Sequence, residues 1–429
     1  MEFLSRPGIL IVLILWILPH IIFLRLVVVG FCKNTLIICI VCLAVVYAIK
    51  PITSDLPKYS IYFATGFLTM WPYSFSKELG LVPDSRDTTG TPFVQAYPHD
   101  RGFAQLAKGL HHLLPVGPYF PRVAAGHYRY VSDLHVIAIS LLGLIIIMVA
   151  CFLFRNVKLT KQSVTQTILY GLPIVMGSVF FMIGSQNVVR QFLGISFILL
   201  ALSLMFGKRY LLAIIGIILA TSFHRWSIVF GLFCIVATIC MHLFTVADKH
   251  SLYARAFLKN IALGLALGVC AVFSIKIIYS GSLNVLEIFQ YVSANTTYVG
   301  ELKLYGIMDS TDMLSRSGAA VKLILVGILF LFSELIVGPN SFTRSSSDFD
   351  IRAFRAVTYS FLIPLSIYPE LMSRVLLFYF GVEIIFILWA IMREEWRTRL
   401  AGWVVLVGHG LALNSINVLI GSEWLYSLK

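Results

Sequence analysis

The sequence predicts an all-α polytopic membrane protein with about twelve transmembrane helices. Hydrophobic residues make up 59% of its 429 residues and charged residues only 12%, whereas soluble domains carry about 25% charged residues. Apolar runs of roughly 17–25 residues, the length that crosses a bilayer, recur along the whole chain. Basic residues cluster in every second connection between these runs, as the positive-inside rule requires. These observations exclude a soluble domain, and they explain much of the net charge of +13 without a nucleic-acid partner.

The apolar runs are the predicted membrane spans. The first is too long for a signal-peptide core and lacks a small-residue cleavage site, so it is predicted to remain as a helix. Three runs are short, those that begin at Thr35, Tyr210 and Ala353, and one of them is a candidate re-entrant segment. The predicted spans are 9–31, 35–52, 135–154, 168–184, 188–206, 210–223, 227–246, 261–278, 321–337, 353–368, 375–392 and 400–420.

The orientation follows from the basic connections. When Lys208-Arg209 is placed in the cytoplasm, alternation of the spans determines which other segments are cytoplasmic. All of these segments also contain basic residues. Both termini are then predicted outside, together with two long polar segments at 50–133 and 280–318. We expect the chain, 1–429, to form a single integral membrane domain. The basic residues on the predicted cytoplasmic side are Lys33, Arg155, Lys158, Lys161, Lys249, Arg255, Lys259, Arg344, Arg352, Arg355, Arg393, Arg397 and Arg399.

The sequence indicates neither a metal site nor a cofactor. Its seven cysteines lie in or beside apolar runs and are expected to be free. The acidic pair in Asp348-Phe349-Asp350 falls on the predicted cytoplasmic side, and the outer segments contain no such pair to hold a metal beside a diphosphate. Glycine-rich nucleotide-binding motifs are also absent from the sequence. We therefore expect no metal ion and no cofactor.

The stretch from Arg190 to Arg225 is predicted to form a helical hairpin with polar residues at its open end. About 34 residues separate Arg190 from His224, which is roughly two short crossings of a bilayer. Between the two apolar halves, Gly207-Lys208-Arg209 is the predicted turn. Arg190-Gln191 and His224-Arg225 therefore return to one face, the outer one. An arginine at mid-bilayer costs about 2.5–3.5 kcal/mol, so we expect these candidate substrate-binding residues at a mouth or in a polar cavity.

Two further groups on the predicted outer face complete the candidate site. Asp55, Lys58 and Tyr59 follow the second span, and Glu370 and Arg374 lie in a short corner between two helices. Lys58 and Tyr59 are candidate substrate contacts, and Glu370 would orient an arginine or a sugar hydroxyl. The structural alternative is an ion pair between Glu370 and Arg374 at the end of a helix.

Three arginines on one face suit a doubly charged anion, because guanidinium groups bind phosphate oxygens in bidentate fashion. Arg190, Arg225 and Arg374 belong to helix ends beside lipid, so a lipid diphosphate fits better than a free nucleotide. Single arginines at helix ends also anchor headgroups, which is the structural alternative. A carboxylate or an imidazole nearby could take the proton of an attacking hydroxyl. Asp55 is the first candidate for this base and His224 the second.

The motifs together resemble those of the EpsG family, the Wzy-type polymerases of bacterial exopolysaccharide, capsule and O-antigen. The resemblance runs from about Asp55 to Phe380 and implies a fold similar to the GT-C glycosyltransferases. It also implies an acidic base in the first outer loop, where Asp55 lies. A long insertion at about 80–131 departs from the family pattern. The motifs are Ser54-Asp55-x-x-Lys58-Tyr59, Arg190-Gln191, the short turn, Ala220-Thr221-Ser222-Phe223-His224, and Ser373-Arg374 with Tyr379-Phe380.

The resemblance implies a repeat-unit polymerase at the outer face of the bacterial inner membrane. Such an enzyme moves a growing glycan from undecaprenyl diphosphate onto a new lipid-linked oligosaccharide unit. Its expected partners are that oligosaccharide lipid, membrane lipid, a chain-length regulator and a flippase. An O-antigen ligase-like transferase, with the same donor but another acceptor, is one alternative. A lipid-linked oligosaccharide flippase or other transporter is the second, and the mostly aliphatic mid-helix positions favour the enzyme over it.

Overall fold

The structure is a computed structural model. It describes residues 7–30, 32–49, 101–114, 119–124, 127–154, 161–246, 253–280, 313–338, 346–393 and 395–414. Apart from one short β-hairpin, the elements of this described part are helices. The chain divides into two compact units, Met1–Leu232 with Ile384–Lys429, and Phe233–Glu383.

The first unit contains most of the helices and the β-hairpin. Helices α1 and α2 pack on each other, α1 also packs on the last helix, α14, and α2 packs on α5. Helices α4 and α8 both pack on α7. The elements are α1 (Pro7–Val29), α2 (Lys33–Ile49), α3 (Arg101–Leu113), β1 (Tyr119–Ala124), β2 (His127–Ser132), α4 (Asp133–Phe154), α5 (Lys161–Gly177), α6 (Val179–Asn187), α7 (Val189–Phe206), α8 (Tyr210–Phe223), α14 (Trp396–His409) and the π-helical segment Gly410–Asn414.

The second unit is smaller and consists of helices within the described residues. Helix α12 packs on both α10 and α11. Helix α9 begins in the first unit and continues into the second, whereas α13 begins in the second and ends in the first. The elements are α9 (Ser227–Val246), α10 (Tyr253–Ser280), α11 (Met313–Val337), α12 (Ser346–Leu365) and α13 (Pro369–Ile391).

The described part of each of the twelve predicted apolar runs lies largely in one helix, or in two cases in two consecutive helical elements. Within the described residues, five helices are long and apolar enough to cross a membrane, and a sixth span results if the bent pair α5 and α6 counts as one. A bend of 67° separates these two helices. The chain is therefore a helical membrane protein, whereas twelve spans and a GT-C arrangement stay predictions. The predicted outer segment at 280–318 overlaps α11, which already begins at Met313.

The predicted hairpin is present as α7 and α8. Gly216 lies against Ala201, since a Cβ built at Gly216 would be 3.2 Å from the Ala201 Cβ. Small residues let two membrane helices approach closely. The opposite face of α8 is apolar and exposed, as a lipid-facing surface would be. Its exposed residues are Leu211, Ile214, Ile215, Ile218 and Leu219.

The turn between α7 and α8 is a Schellman motif. The Lys208 N–H donates to the Met205 carbonyl (2.9 Å) and the Arg209 N–H to the Leu204 carbonyl (2.8 Å). The left-handed residue of the motif is Lys208, with φ 58°, and not the preceding Gly207, whose φ is −78°. Both residues are exposed, so the turn closes the hairpin without burying the lysine charge.

Helix α3 rests with its apolar face on the end of the hairpin opposite this turn. Phe103, Ala104 and Ala107 belong to a buried cluster that includes Val189 and Leu193 of α7. The polar side chains of α3, at Arg101, Gln105, Lys108 and His112, are exposed. Their spacing of three and four residues places them on one side of the helix. Part of the segment that was predicted to lie outside is therefore an amphipathic helix packed on the hairpin.

Candidate functional site

The open end of the hairpin brings two of the predicted motifs together. Arg190 and Gln191 lie in the first turn of α7, and His224 and Arg225 join α8 to α9. Gly194, one turn after Arg190, shows that the two motifs are close together. A Cβ at Gly194 would lie 3.1 Å from the His224 Cβ and would overlap the Ser227 hydroxyl. The predicted convergence of these residues at one end of the hairpin is therefore confirmed.

The backbone between α8 and α9 fixes the two basic side chains. His224 ends α8 in an extended conformation, φ −153° and ψ 117°, and its N–H donates to the Ala220 carbonyl. The chain then turns at once, because the Ser227 N–H donates to the His224 carbonyl at 2.9 Å and the Ile228 N–H to the Arg225 carbonyl at 3.2 Å. These bonds define the backbone at His224 and Arg225, and both side chains are buried.

Burial distinguishes these side chains from ordinary headgroup anchors. His224 and Arg225 are each only 7% exposed, and Gln191 is 4% exposed. Arg190 is half-buried. An anchor at a helix end keeps its charge in the interface, whereas a buried guanidinium requires a compensating anion or several acceptors. The cluster is thus a buried group of cationic, amide and imidazole side chains at one end of the hairpin in the first unit.

A third buried polar group at this end was not predicted. His135 is fully buried in the first turn of α4, next to Val136, which belongs to the same apolar cluster as Val189. In the sequence, His135 is only the first residue of a predicted apolar run, and no function was predicted for it. Histidine is intermediate between the mostly buried and the mostly exposed residue types, so the burial of His135 is a signal that only the structure provides.

A short chain of hydroxyl groups also joins three helices of the first unit. The Tyr47 hydroxyl of α2 donates to the Ser140 Oγ of α4 at 2.9 Å, and that Oγ donates to the Ser185 carbonyl of α6 at 3.3 Å. The Ser185 hydroxyl donates in turn to the Phe181 carbonyl of its own helix at 2.5 Å. These bonds hold α6 just before the helix that carries Arg190.

The remaining predicted site residues are placed elsewhere. Arg374 is half-buried in the second turn of α13, and Glu370 lies in the first turn of that helix, both in the second unit. Asp55, Lys58 and Tyr59 lie outside the described residues. The structure therefore brings together the hairpin residues, and the contributions of the other five stay predictions.

The second unit contains a buried charge network that was also not predicted. Arg355 of α12 donates from Nε to the Glu383 Oε2, from Nη1 to the Glu334 Oε1 and from Nη2 to the Ser333 Oγ, each at 2.8 Å. Arg352 contacts the other oxygen of Glu334 from Nε at 2.8 Å and from Nη2 at 2.7 Å. All four charged side chains are at most 4% exposed.

Aromatic side chains enclose this network. The Tyr379 hydroxyl donates to the free oxygen of Glu383, one turn away on α13. The Arg355 guanidinium lies 5.0 Å from the centre of the Phe330 ring, and Phe330 stacks on Tyr359 with ring centres 5.1 Å apart. Two arginines and two glutamates cancel in formal charge, so the network can remain ionised within apolar helices.

This network corrects one part of the orientation argument. Arg352 and Arg355 were counted among the cytoplasmic basic residues, but both lie within α12 and are almost fully buried against glutamates. They contribute less to the positive-inside signal than exposed cations would. The signal for the network was present in the sequence, since Glu334 and Glu383 interrupt strongly apolar runs. An ionisable residue at such a position is a candidate functional residue by default.

In comparisons with known proteins, no family model matches the chain, and neither a curated protein nor a solved structure matches it significantly.

Proposed function

We propose that this protein is a membrane-embedded glycosyltransferase that uses a lipid diphosphate donor, and that it acts as a polysaccharide repeat-unit polymerase. The observation that carries the proposal is the burial of Arg225 and His224, each 7% exposed, at the open end of an apolar hairpin. A guanidinium buried among apolar helices suits a ligand that joins an anionic group to an apolar tail. A diphosphate on a polyprenyl chain has this combination of charge and apolar tail.

The proposed reaction assigns a task to each group. A hydroxyl oxygen of the acceptor sugar attacks the anomeric carbon of the donor, and the bond from that carbon to the diphosphate oxygen breaks. The diphosphate leaves with the electron pair, and the hydroxyl proton passes to a base. Arg190 and Arg225 would stabilise the charge that develops on the leaving group. Gln191 would position it by a hydrogen bond.

The finer assignments rest on the resemblance to the EpsG family. They comprise undecaprenyl diphosphate as carrier, a GT-C-like arrangement, the outer face of a bacterial inner membrane, and Asp55 as base. Arg374 and Glu370 belong to this set too, as a further phosphate contact and an orienting group. An O-antigen ligase-like transferase would use the same donor chemistry and differ only in its acceptor.

A transporter of lipid-linked oligosaccharide is the second candidate, and one observation favours it. Charged residues buried within membrane helices often mark transport pathways, and the network of Arg355, Glu334 and Glu383 is of this kind. Its charged residues also lie within helices, whereas the mostly aliphatic mid-helix positions were the feature that favoured an enzyme over a transporter. Its arginines and glutamates are hydrogen-bonded to one another, however, which suits a structural tie better than a changing ion path.

The decisive experiment uses purified protein and synthetic lipid-linked repeat units, with product length measured on a gel. We expect polymer from the unaltered chain. For Arg225→Ala we expect roughly a ten- to hundredfold loss of activity, because one charge-assisted contact is worth about 1.5–3 kcal/mol. Arg225→Lys should recover only part of it, since lysine cannot bind in bidentate fashion.

The matched control is Arg209→Ala, which removes an exposed arginine at the other end of the same hairpin. It should leave polymer length unchanged. If the unaltered protein elongates no lipid-linked unit but moves it across proteoliposome membranes, the transporter is correct and the transferase is rejected. Near-normal polymer from Arg225→Ala would reject the phosphate contact.

A further inference from the structure

The middle of α1 contains a buried histidine that the proposed reaction does not use. His20 is 3% exposed and lies about 20 Å along the helix from Pro7 at 1.5 Å per residue. Neither of its ring nitrogens has a hydrogen-bond partner among the described residues. An imidazole always carries at least one strong donor or acceptor, and burying it unsatisfied costs about 1–3 kcal/mol.

A second polar group adjoins this imidazole. Trp16, one turn earlier, is fully buried, and its ring lies edge-on to His20 with centres 4.9 Å apart. Its indole Nε1 likewise has no hydrogen-bond partner within the described part of the chain. By contrast, the main-chain carbonyl of His20 is satisfied, because Trp403 of α14 donates to it at 2.9 Å.

The helix itself is irregular at this level. Pro19 lies inside α1 and has no N–H to donate to the carbonyl of Leu15. The backbone thus offers an acceptor that ordinary helix geometry would have satisfied. Leu15 precedes Trp16 in the sequence. The Leu15 carbonyl, the Trp16 indole N–H and the His20 imidazole therefore lie within one and a half turns of α1.

Two further helix irregularities meet at the same imidazole. Gly177 ends α5 at the 67° bend, and a Cβ built there would be 3.7 Å from the His20 Cε1. Gly410 begins the π-helical segment, and a Cβ there would be 3.3 Å from the His20 Nε2. Glycine therefore adjoins the ring from two helices. Non-helical backbone within a membrane occurs where it is buried in protein or lines a water-filled space, and π-helical turns are frequent at functional sites.

We propose that Trp16 and His20 form a hydrated site in the interior of the first unit, in which internal water is bound by the indole and imidazole nitrogens. A buried water needs two to four polar partners, and the two side chains with the Leu15 carbonyl supply that number. Among the described residues, the polar groups of this site are an indole, an imidazole and a main-chain carbonyl, a set that suits a neutral ligand such as water. Because imidazole is also a proton acceptor, the site places a titratable group and water together in an apolar surrounding.

Cysteine accessibility tests the proposal in a chain whose seven native cysteines have been replaced. Thiol reagents attack the thiolate, which forms only where water reaches the sulfur. We therefore expect a methanethiosulfonate reagent to modify His20→Cys about tenfold faster than Phe23→Cys. Phe23 is the control, since it is 1% exposed on the same helix and its own side chain carries no polar atom. Equal rates at the two positions would overturn the proposal.

A second measurement avoids any change to the site. In protein labelled with ¹⁵N-histidine and embedded in bilayers, the signals of His20 are identified by their loss in His20→Phe. We expect magnetisation transfer from water protons to the His20 ring nitrogens of the unaltered protein. His20 signals that receive none would contradict the hydrated site. Neither measurement depends on glycosyl transfer, so its outcome is separate from that of the proposed function.

Discussion

Arg355 and Glu383 form an ion pair between α12 and α13, with Nε and Oε2 2.8 Å apart and both side chains at most 1% exposed. Glu334 of α11 accepts from the same guanidinium, so one arginine connects three helices of the second unit. Water cannot screen charges at such a position, and each partner therefore depends on the other. The pair is a structural constraint on α13, the helix on which Arg374 lies nine residues earlier.

The first prediction concerns this constraint. Glu383→Ala should lower the free energy of unfolding by about 3–5 kcal/mol, because it leaves two buried arginines with the single carboxylate of Glu334. The combined change Arg355→Met and Glu383→Leu should recover most of the loss, since both charges are then absent. Thermal unfolding of the purified protein in detergent measures the effect. Arg397→Met, at an exposed arginine, is the control and should leave the melting temperature unchanged. A double variant no more stable than Glu383→Ala would contradict this account.

Close packing at the open end of the hairpin gives the second prediction. Gly194→Ala forces a methyl group against the Ser227 hydroxyl and the His224 Cβ. Overpacking of this kind costs about 1–3 kcal/mol, and it should also displace His224 and reduce transfer activity. Ser227→Ala removes the closer of the two atoms, so the double variant should regain stability. Gly109→Ala is the matched control, because no atom lies within 4 Å of the position that its Cβ would occupy. If the stability effects of Gly194→Ala and Ser227→Ala simply add in the double variant, the result would argue against a contact between these two residues.

The identity of the base gives the third prediction. If Asp55 takes the proton, Asp55→Asn should abolish chain extension, because the amide keeps the shape but cannot accept a proton. His224→Gln should then retain substantial activity, since the histidine serves only to position a sugar or phosphate. Product length on a gel, with lipid-linked repeat units as substrate, separates the two. Near-normal polymer from Asp55→Asn would transfer the assignment to His224 or Glu370.

The predicted orientation is tested by fusions. A reporter that is active only in the cytoplasm should give signal when fused after Lys161 and after Arg344, since both follow the positive-inside pattern. A fusion after Gly300 should give none. Signal from that third fusion would show that the segment at 280–318 lies in the cytoplasm, and it would reject the arrangement of twelve spans.

Strain in the hairpin turn gives the fifth prediction. An L-residue in the left-handed region carries a penalty of roughly 1–2 kcal/mol that glycine avoids, and Lys208 occupies this region with φ 58°. Lys208→Gly should therefore stabilise the protein by up to about 1 kcal/mol, and Lys208→Val should destabilise it. Urea unfolding in detergent measures both changes. Arg209→Gly, at a residue with φ −97°, is the control and should not be stabilising.

Local pattern and length were sufficient to predict the hairpin. The distance between Arg190 and His224 fits two helices, the turn residues divide them, and the positive-inside rule orients them. These are properties of neighbouring residues in the chain. They place Arg190-Gln191 and His224-Arg225 at the same end before any packing is known, and the structure has them there.

Contacts between helices distant in sequence could not be predicted in this way. Glu334 and Arg352 are 18 residues apart and Arg355 and Glu383 are 28 apart, in different helices. Their pairing depends on how α11, α12 and α13 pack, which periodicity does not determine. The arginines alone are indistinguishable from loop cations in the sequence. The burial of His135 and the meeting of two helix breaks at His20 depend on tertiary packing for the same reason.

The Schellman turn at the end of α7 also makes the protein accessible to imaging. Residues 207–210 are all exposed, and two backbone hydrogen bonds hold the lysine and arginine within them in one conformation. An antibody fragment raised against this epitope would be attached rigidly to the hairpin. For a 48.1 kDa protein whose described residues lie almost entirely in helices, such a fiducial would allow particles to be aligned by electron cryo-microscopy. It would do so from the end of the hairpin opposite His224, leaving the candidate site open to a lipid-linked substrate.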